Sequence, residues 1–302
     1  MTRRIAALAL AATLAVPALA QKAAPQDPKV ADLRAKLGER LNAIAGSLDG
    51  VMGFVIVGLT SDERFERHAH DTFPTASTIK LAILYELFRQ TDEGRIQLDA
   101  PRTLDRRNAV GGSGVLNEPT TPTLSLRDYA TLMVVLSDNT ATNVLIDIVG
   151  MDNVTTRMAS LGLKATKLRR KMIDLEAARR GDENVSTPAD LARLLDIIHR
   201  GEGLSKGSGE SLRAILGKPK ASPMRTAIPE DIVVANKPGN LEAVEVDAGI
   251  VYVEGRPYIQ VVMTTYLKSN AAGDAAIQSA SQAAFEYFSR LAKSSDYGRA
   301  IR

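Results

Sequence analysis

The chain has 302 residues, with 38 Lys and Arg against 35 Asp and Glu and a formal net charge of +3, which suffices for one large core or two lobes. It has no cysteine and three histidines, so disulfides and thiolate chemistry are excluded, and neither a zinc site nor any other cofactor is expected. A pI near 9.0 owes part of its value to Arg3 and Arg4 and, with no block of like charge, implies no nucleic-acid partner.

Residues 1–20 have the pattern of a secretory leader. Arg3 and Arg4 supply the charge, residues 5–16 the largely apolar run, and Ala18-Leu19-Ala20 the small-residue cleavage site. The run is too short to span a membrane and is ended by Pro17. The expectation is export to the periplasm with residues 21–302 as the mature chain and no membrane span after processing.

After a polar linker, Val30, Leu33, Leu37, Leu41, Ile44 and Leu48 keep helical spacing. Residues 52–59 are apolar and rich in β-branched side chains, and residues 64–70 alternate; together they predict a hairpin, with His68 and His70 as surface side chains near its end. Next comes Phe73-Pro74-Thr75-Ala76-Ser77-Thr78-Ile79-Lys80. Pro74 favours an extended Phe73, and Thr75, Ser77 or Thr78 can cap a helix. From Ile79 to Phe88 that helix is apolar nearly all round, which predicts a buried central helix. Ser77 and Lys80, three residues apart, share one face of it. A lysine held dry beside a serine can lose its proton and serve as the serine's base. A Ser-x-x-Lys match alone decides nothing, because it arises by chance about once in a chain of this length.

Residues 91–123 are rich in Gly, Pro and Thr, with Gly111, Gly112 and Gly114 near their centre, and predict a long loop region bordering a site. Helices are predicted over 125–136, 140–149 and 151–161. A basic segment, 164–180, precedes Ser186-Thr187-Pro188, which opens a helix running to His199. Residues 201–209 read as a Gly/Ser linker and 210–216 as a short helix. Strands are predicted over 232–235, 245–253 and 258–267, and a closing amphipathic helix over 275–291. Strands at both chain ends with helices between them give an α+β fold: one antiparallel sheet built from both ends with flanking helices, plus an inserted all-helical lobe. In that division 21–72 and 222–302 form the α/β lobe and 73–221 the helical lobe, with a cleft where they meet.

Two further motifs complete a set. Ser137-Asp138-Asn139 sits between two predicted helices, where Ser, Asp and Asn are also ordinary capping residues. Lys237-Pro238-Gly239 directly follows a predicted strand, where its bland reading is a turn. The order and setting of the three motifs resemble those of class A β-lactamases and penicillin-binding proteins. The resemblance runs from about Phe54 to Leu291. It implies a secreted serine hydrolase acting through an acyl-enzyme on a β-lactam or cell-wall peptide. On this pattern Ser77 would be the acylated nucleophile, Lys80 its proton partner, and Ser137 the relay to the leaving nitrogen. Asn139 would hold the substrate's amide side chain, and Lys237 would attract its carboxylate and hold down the Lys80 pKa. The backbone N–H groups of Ser77 and of Asn240, after Gly239, would form the oxyanion hole; such donors contribute about 2.7–4 kcal/mol.

The sequence departs from that pattern twice. The class A glutamate that activates the deacylating water falls on Lys171, and the asparagine after it falls on Leu175. Asp174 and Glu176 lie near but out of register, and their bland reading is as surface acids among Arg179 and Arg180. Without a base the acyl-enzyme should persist, since general-base help is worth roughly 10²–10⁴. In lacking that glutamate the chain resembles the class A-related penicillin-binding proteins. The second departure is Pro238, where threonine or serine is usual: a hydroxyl for the substrate carboxylate is lost, as is a backbone donor, which an edge strand tolerates. This leaves a D-alanyl peptidase or esterase of the same fold, or a covalent β-lactam trap, as alternatives. Gly203-Leu204-Ser205-Lys206-Gly207 matches the nucleophile elbow of α/β-hydrolases but lacks the strand–turn–helix setting, and is read as coincidence.

Overall fold

A computed structural model describes residues 27–61, 63–295 and 297–301; the expected leader lies outside the described residues. The first helix, α1 (Pro28–Ser47), starts with Pro at its first turn and Asp27 accepting from the Lys29 N–H, as a helix start requires. The hairpin follows as β1 (Val51–Gly58) and β2 (Arg64–Arg67). His68 and His70 lie just past β2 in a turn, where His68 takes φ 47° and its ring meets Asp71, so the strand ends before them. The short strand β3 (Phe73–Pro74) leads through a 3₁₀ turn (Ala76–Ile79) into α2 (Lys80–Asp92).

α2 is the buried central helix that its composition predicts: Lys80 to Phe88 are all buried. None of the three candidate hydroxyls caps it. Thr78 Oγ1 instead donates back to the Thr75 carbonyl, and Thr75 Oγ1 donates to the Asn184 carbonyl, tying the turn to a distant loop. The region predicted as loop contains a two-strand ribbon, β4 (Pro101–Thr103) with β5 (Thr123–Ser125). Three helices follow: α3 (Leu126–Val135), with a capping box from Ser125 and Asp128, α4 (Asn139–Val149) and α5 (Met151–Ser160). The basic segment holds α6 (Leu175–Arg179), and β6 (Val185–Ser186) pairs with β3.

α7 (Pro188–Arg200) has Thr187 as N-cap and Gly201 in the left-handed region at its end, and packs on β1 and β9. α8 (Lys206–Leu216) begins earlier than its periodicity suggests. Ser205 caps it and donates to Asp92, which confirms a capping serine where the elbow pattern matched. After α9 (Pro223–Thr226) come β7 (Val234–Leu241), β8 (Val244–Val251) and β9 (Tyr258–Thr265), then α10 (Asn270–Ala292).

The main sheet is antiparallel in the order β2-β1-β9-β8-β7, so both chain ends build it. Alternation along the strands sends side chains to two cores. Phe54, Ile56, Tyr258 and Val262 pack with α1 and α10, while Val55, Ile259, Val261 and Met263 pack with α2 and α7. β7 is an edge strand, and it runs past the end expected from sequence, so that Lys237-Pro238-Gly239 lies within it. Pro238 is thus accommodated where a missing N–H costs no ladder bond on the open side. Among the described residues, no helix is long and apolar enough to cross a membrane.

Candidate active site

Ser77, Lys80, Ser137, Asn139 and Lys237 converge between α2, the start of α4 and the edge strand β7. Ser77 sits in the 3₁₀ turn before α2, half-buried, and Ala76 before it takes φ 45°. Ser137 also has a positive φ, 53°, in the break between α3 and α4. Left-handed non-glycine residues are costly, and here they flank or are the two hydroxyls.

Ser137 Oγ is the hub. It lies 2.9 Å from Ser77 Oγ, 3.0 Å from Lys80 Nζ and 3.1 Å from Lys237 Nζ. Lys80 Nζ also donates to the Ser137 carbonyl at 2.8 Å and to Asn139 Oδ1 at 3.0 Å, and Lys237 Nζ to the Pro238 carbonyl at 2.7 Å. Lys80 therefore reaches Ser77 through the Ser137 hydroxyl. Both lysines are buried, at 0% and 1% exposure. Burial, and after it the charge of Lys237, drives the Lys80 ammonium well below its ordinary value, against Asp138, which raises it. Burial pushes Lys237 down to about 7, opposed by Asp247 and aided by Lys220. A lysine that is neutral near pH 7 can accept a proton, and a hydroxyl bridge can carry it.

Asp138 secures this corner. Its carboxylate accepts from the N–H groups of Val115 (2.7 Å), Leu116 (2.9 Å) and Ala141 (2.8 Å), stitching the glycine-rich loop to the start of α4. A Cβ at Gly114, which has φ 106°, would overlap that carboxylate. Asn139 is aimed by Lys80 and by the Gly111 carbonyl, which accepts from its Nδ2 at 3.2 Å. On the other side, a Cβ at Gly239 would lie 2.5 Å from the Ser77 backbone nitrogen. Only a glycine lets β7 approach the 3₁₀ turn this closely, which brings Asn240 alongside it. A cleft of about 650 Å³ opens here; its walls include Ser137, Lys237, Gly239 and Asn240, together with Lys220 and Ser222. Lys220 and Ser222 carried no signal in the sequence, because isolated Lys and Ser residues in a polar stretch look like any surface.

The segment 164–185 runs beside the site. Asn143 clasps the Met172 backbone, accepting from its N–H at 2.8 Å and donating to its carbonyl at 3.2 Å. Asn184 holds the N–H groups of Arg169 and Arg170. Lys171 turns away to pair with Asp147 at 2.5 Å. Asp174 caps α6 and Glu176 pairs with Arg179 on the surface, while Asp182 pairs with Arg180 and Glu183 with Arg170. Among the described residues, no cluster of His, Cys, Asp and Glu could hold a metal.

The chain is similar to known proteins over most of its length. The model of the beta-lactamase enzyme family matches residues 36–288. An imipenem-hydrolyzing beta-lactamase of Enterobacter cloacae is 28% identical over 235 residues, 75% of this chain and 80% of that protein. Beta-lactamase AST-1 of Nocardia asteroides is 27% identical over 83% of this chain and 79% of its own length. Among solved structures, PBP-A superposes with a TM-score of 0.77 at 26% identity, covering 84% of this chain and 96% of PBP-A. A beta-lactamase of Sphaerobacter thermophilus gives 0.75 at 31% identity, covering 83% and 96%. A mutant of PBP-A, also similar at 0.77, was solved as an acyl-enzyme complex with penicillin G. A family match over most of the chain agrees with the fold and with the motifs that meet at Ser137, and the chain belongs to the beta-lactamase enzyme family, as a serine hydrolase of the class A β-lactamase and penicillin-binding protein superfamily.

Proposed function

We propose that the protein is an exported acyl enzyme that opens the strained amide of β-lactams through an ester at Ser77 and releases the acyl group slowly. The observation that carries the reading is the hydroxyl bridge from Ser77 through Ser137 to two buried lysines, beside a loop whose acids are spent elsewhere. Ser77 Oγ attacks the carbonyl carbon while its proton passes by way of Ser137 Oγ to neutral Lys80. The N–H groups of Ser77 and Asn240 receive the oxyanion. The C–N bond then breaks, and Ser137 passes a proton to the departing nitrogen. Lys237, as the ammonium, attracts the substrate carboxylate, and Asn139 holds its amide side chain. Water must then cleave the ester without a carboxylate base from residues 164–185, which supports slow deacylation.

Kinship with enzymes named beta-lactamases, and with a protein captured as a penicillin acyl-enzyme, supports a β-lactam as substrate. Pro238 favours a second reading, a D-alanyl peptidase or esterase of the same fold, because it offers no hydroxyl to a substrate carboxylate. The leader pattern over residues 1–20 supports export to the periplasm.

The test is intact-mass spectrometry of the processed protein mixed with a penicillin. A persistent adduct that is lost in Ser77→Ala is the expected result. A transient adduct with the penicillin consumed would replace slow release by full β-lactamase turnover. No adduct, with hydrolysis of a D-alanyl peptide or ester, would select the second reading.

A further inference from the structure

Asp247 is a fully buried carboxylate that the chemistry above leaves unused. It lies on β8 as the register partner of Pro238, one residue away from Lys237 on the neighbouring strand. Strand alternation puts its side chain on the opposite face of the sheet from Lys237, behind the lysine's backbone. There it accepts from Asn236 Nδ2 at 2.8 Å and from the Met224 N–H at 3.1 Å. Asn236 also donates to Ser222 Oγ at 2.8 Å, and its own Oδ1 is left buried without a partner. An amide turned so that it gives away its N–H groups and strands its oxygen is what an ionised carboxylate selects. With N–H donors on both of its oxygens, Asp247 has little place for a proton of its own.

The two buried lysines make such a charge necessary. Lys80 and Lys237 both donate to one hydroxyl oxygen, and two ammonium groups that close in a dry site repel strongly. One must give up its proton, and nothing in their shared contacts with Ser137 says which. We propose that Asp247 is the counter-charge of Lys237: a positioning residue that keeps Lys237 an ammonium and so leaves Lys80 as the neutral base. This rests on the acyl-enzyme reading of the site.

The other charges around Asp247 fit. Lys220, on the segment leading into α9, and Glu245, on β8, both feel the Asp247 charge, while Arg225 of α9 acts on Lys220 and Asp274 of α10 on Glu245. Arg225 spends its guanidinium on the carbonyls of Ile232 and Pro229. Glu245 is pushed up to about 7, chiefly by burial, which removes it as a competing anion at mildly acid pH. Burial raises the Asp247 pKa above its ordinary value, and Asn236, Met224, Ser222 and Lys237 offset only part of that rise. Lys237 in turn is raised by Asp247 against its own burial.

The experiment pairs Asp247→Asn with two measurements. The first is the second-order acylation rate constant with a fluorescent penicillin from pH 5 to 9. The expected result is an alkaline limb moved down by about one pH unit, with about tenfold slower acylation at pH 7.5 and little change at pH 5.5. A rate lowered equally at every pH, with the limb in place, would mean a merely structural role and overturn the proposal. The second reads the Asp247 carboxyl and Lys237 ε-carbons by ¹³C NMR without substrate. In the unaltered protein Asp247 is expected to be ionised at pH 7; a protonated carboxyl there would overturn the proposal even if the variant does not fold. Failure of the protein to react with penicillin would remove the acyl-enzyme reading and leave this second measurement to decide the charge states of Asp247 and Lys237 alone.

Discussion

The turn around Ser77 and the loop over residues 164–185 lie side by side, and they treat charge in opposite ways. At Ser77, two lysines are buried with a shared hydroxyl between them, Asp138 is locked by three backbone N–H groups, and Ala76 and Ser137 hold positive φ. Along the loop most acids pair with bases at the surface, Arg170 is buried against Glu183, and Asn184, with Asn143 from α4, holds the loop's backbone. The first region desolvates two lysines around one hydroxyl to prepare proton transfer; the second, though it holds Ile173 at φ 61°, leaves its acids paired with arginines or capping a helix. Making an acyl-enzyme and breaking one are therefore separable tasks here, and only the first has buried lysines aimed at a reacting hydroxyl.

The largest expected effect comes from removing the nucleophile. Ser77→Ala should abolish the penicillin adduct and lower any hydrolysis by on the order of 10⁴-fold or more, read by intact mass and by antibiotic consumption. An adduct that survives would place the chemistry outside this turn and undo the contrast. Next comes the locking of Asp138. Gly114→Ala would force a methyl into its carboxylate at a φ that disfavours side chains, and should cost roughly 2–4 kcal/mol of stability, read by denaturant unfolding. Acylation should slow with it, because Ser137 and Asn139 flank Asp138.

A smaller effect is the pH dependence. With Lys237 at about 7, acylation should fall close to tenfold per pH unit above that value as the ammonium is lost. Stability should respond with the opposite sign. The folded Lys237 releases its proton near 7 and the unfolded one near 10.5, so between those values the unfolded state binds more protons and this group's penalty shrinks as pH rises. Activity and stability measured over the same range should therefore diverge; a parallel rise or a parallel fall would show that Lys237 is not charged in the working enzyme.

The motifs at Ser77, Ser137 and Lys237 were legible because each needs particular residue types next to a recognisable helix or strand. The buried α2 and the two-ended sheet were legible for a related reason, since periodicity and β-branched runs report burial directly. What stayed hidden was contact between distant segments. Nothing local marks Asp247 as a buried carboxylate behind Lys237, because an acid in a strand usually reads as its solvent face. The length of β7 was hidden by Pro238, which normally stops a strand and here sits on an edge. The capping role expected of Thr75 and Thr78 failed because the distant Asn184 carbonyl claimed the Thr75 hydroxyl and the Thr78 hydroxyl turned back to the Thr75 carbonyl.

The smallest expected effect is the sharpest test of the loop. Asp174→Asn should cost no more than about 1 kcal/mol, as a helix cap that asparagine can still supply, and Glu176→Gln less than about 0.5 kcal/mol, as an exposed ion pair. Neither should change the rate at which the penicillin adduct is lost by more than about twofold, because one carboxylate faces the Ala177 N–H and the other faces Arg179. Adduct decay after rapid removal of free penicillin measures this directly. General-base help is worth roughly 10²–10⁴, so even a partial contribution from either acid would stand well clear of twofold. A tenfold slower decay in one of them would mean that the loop rearranges once Ser77 is acylated. The separation between the two regions would then belong to the free enzyme alone.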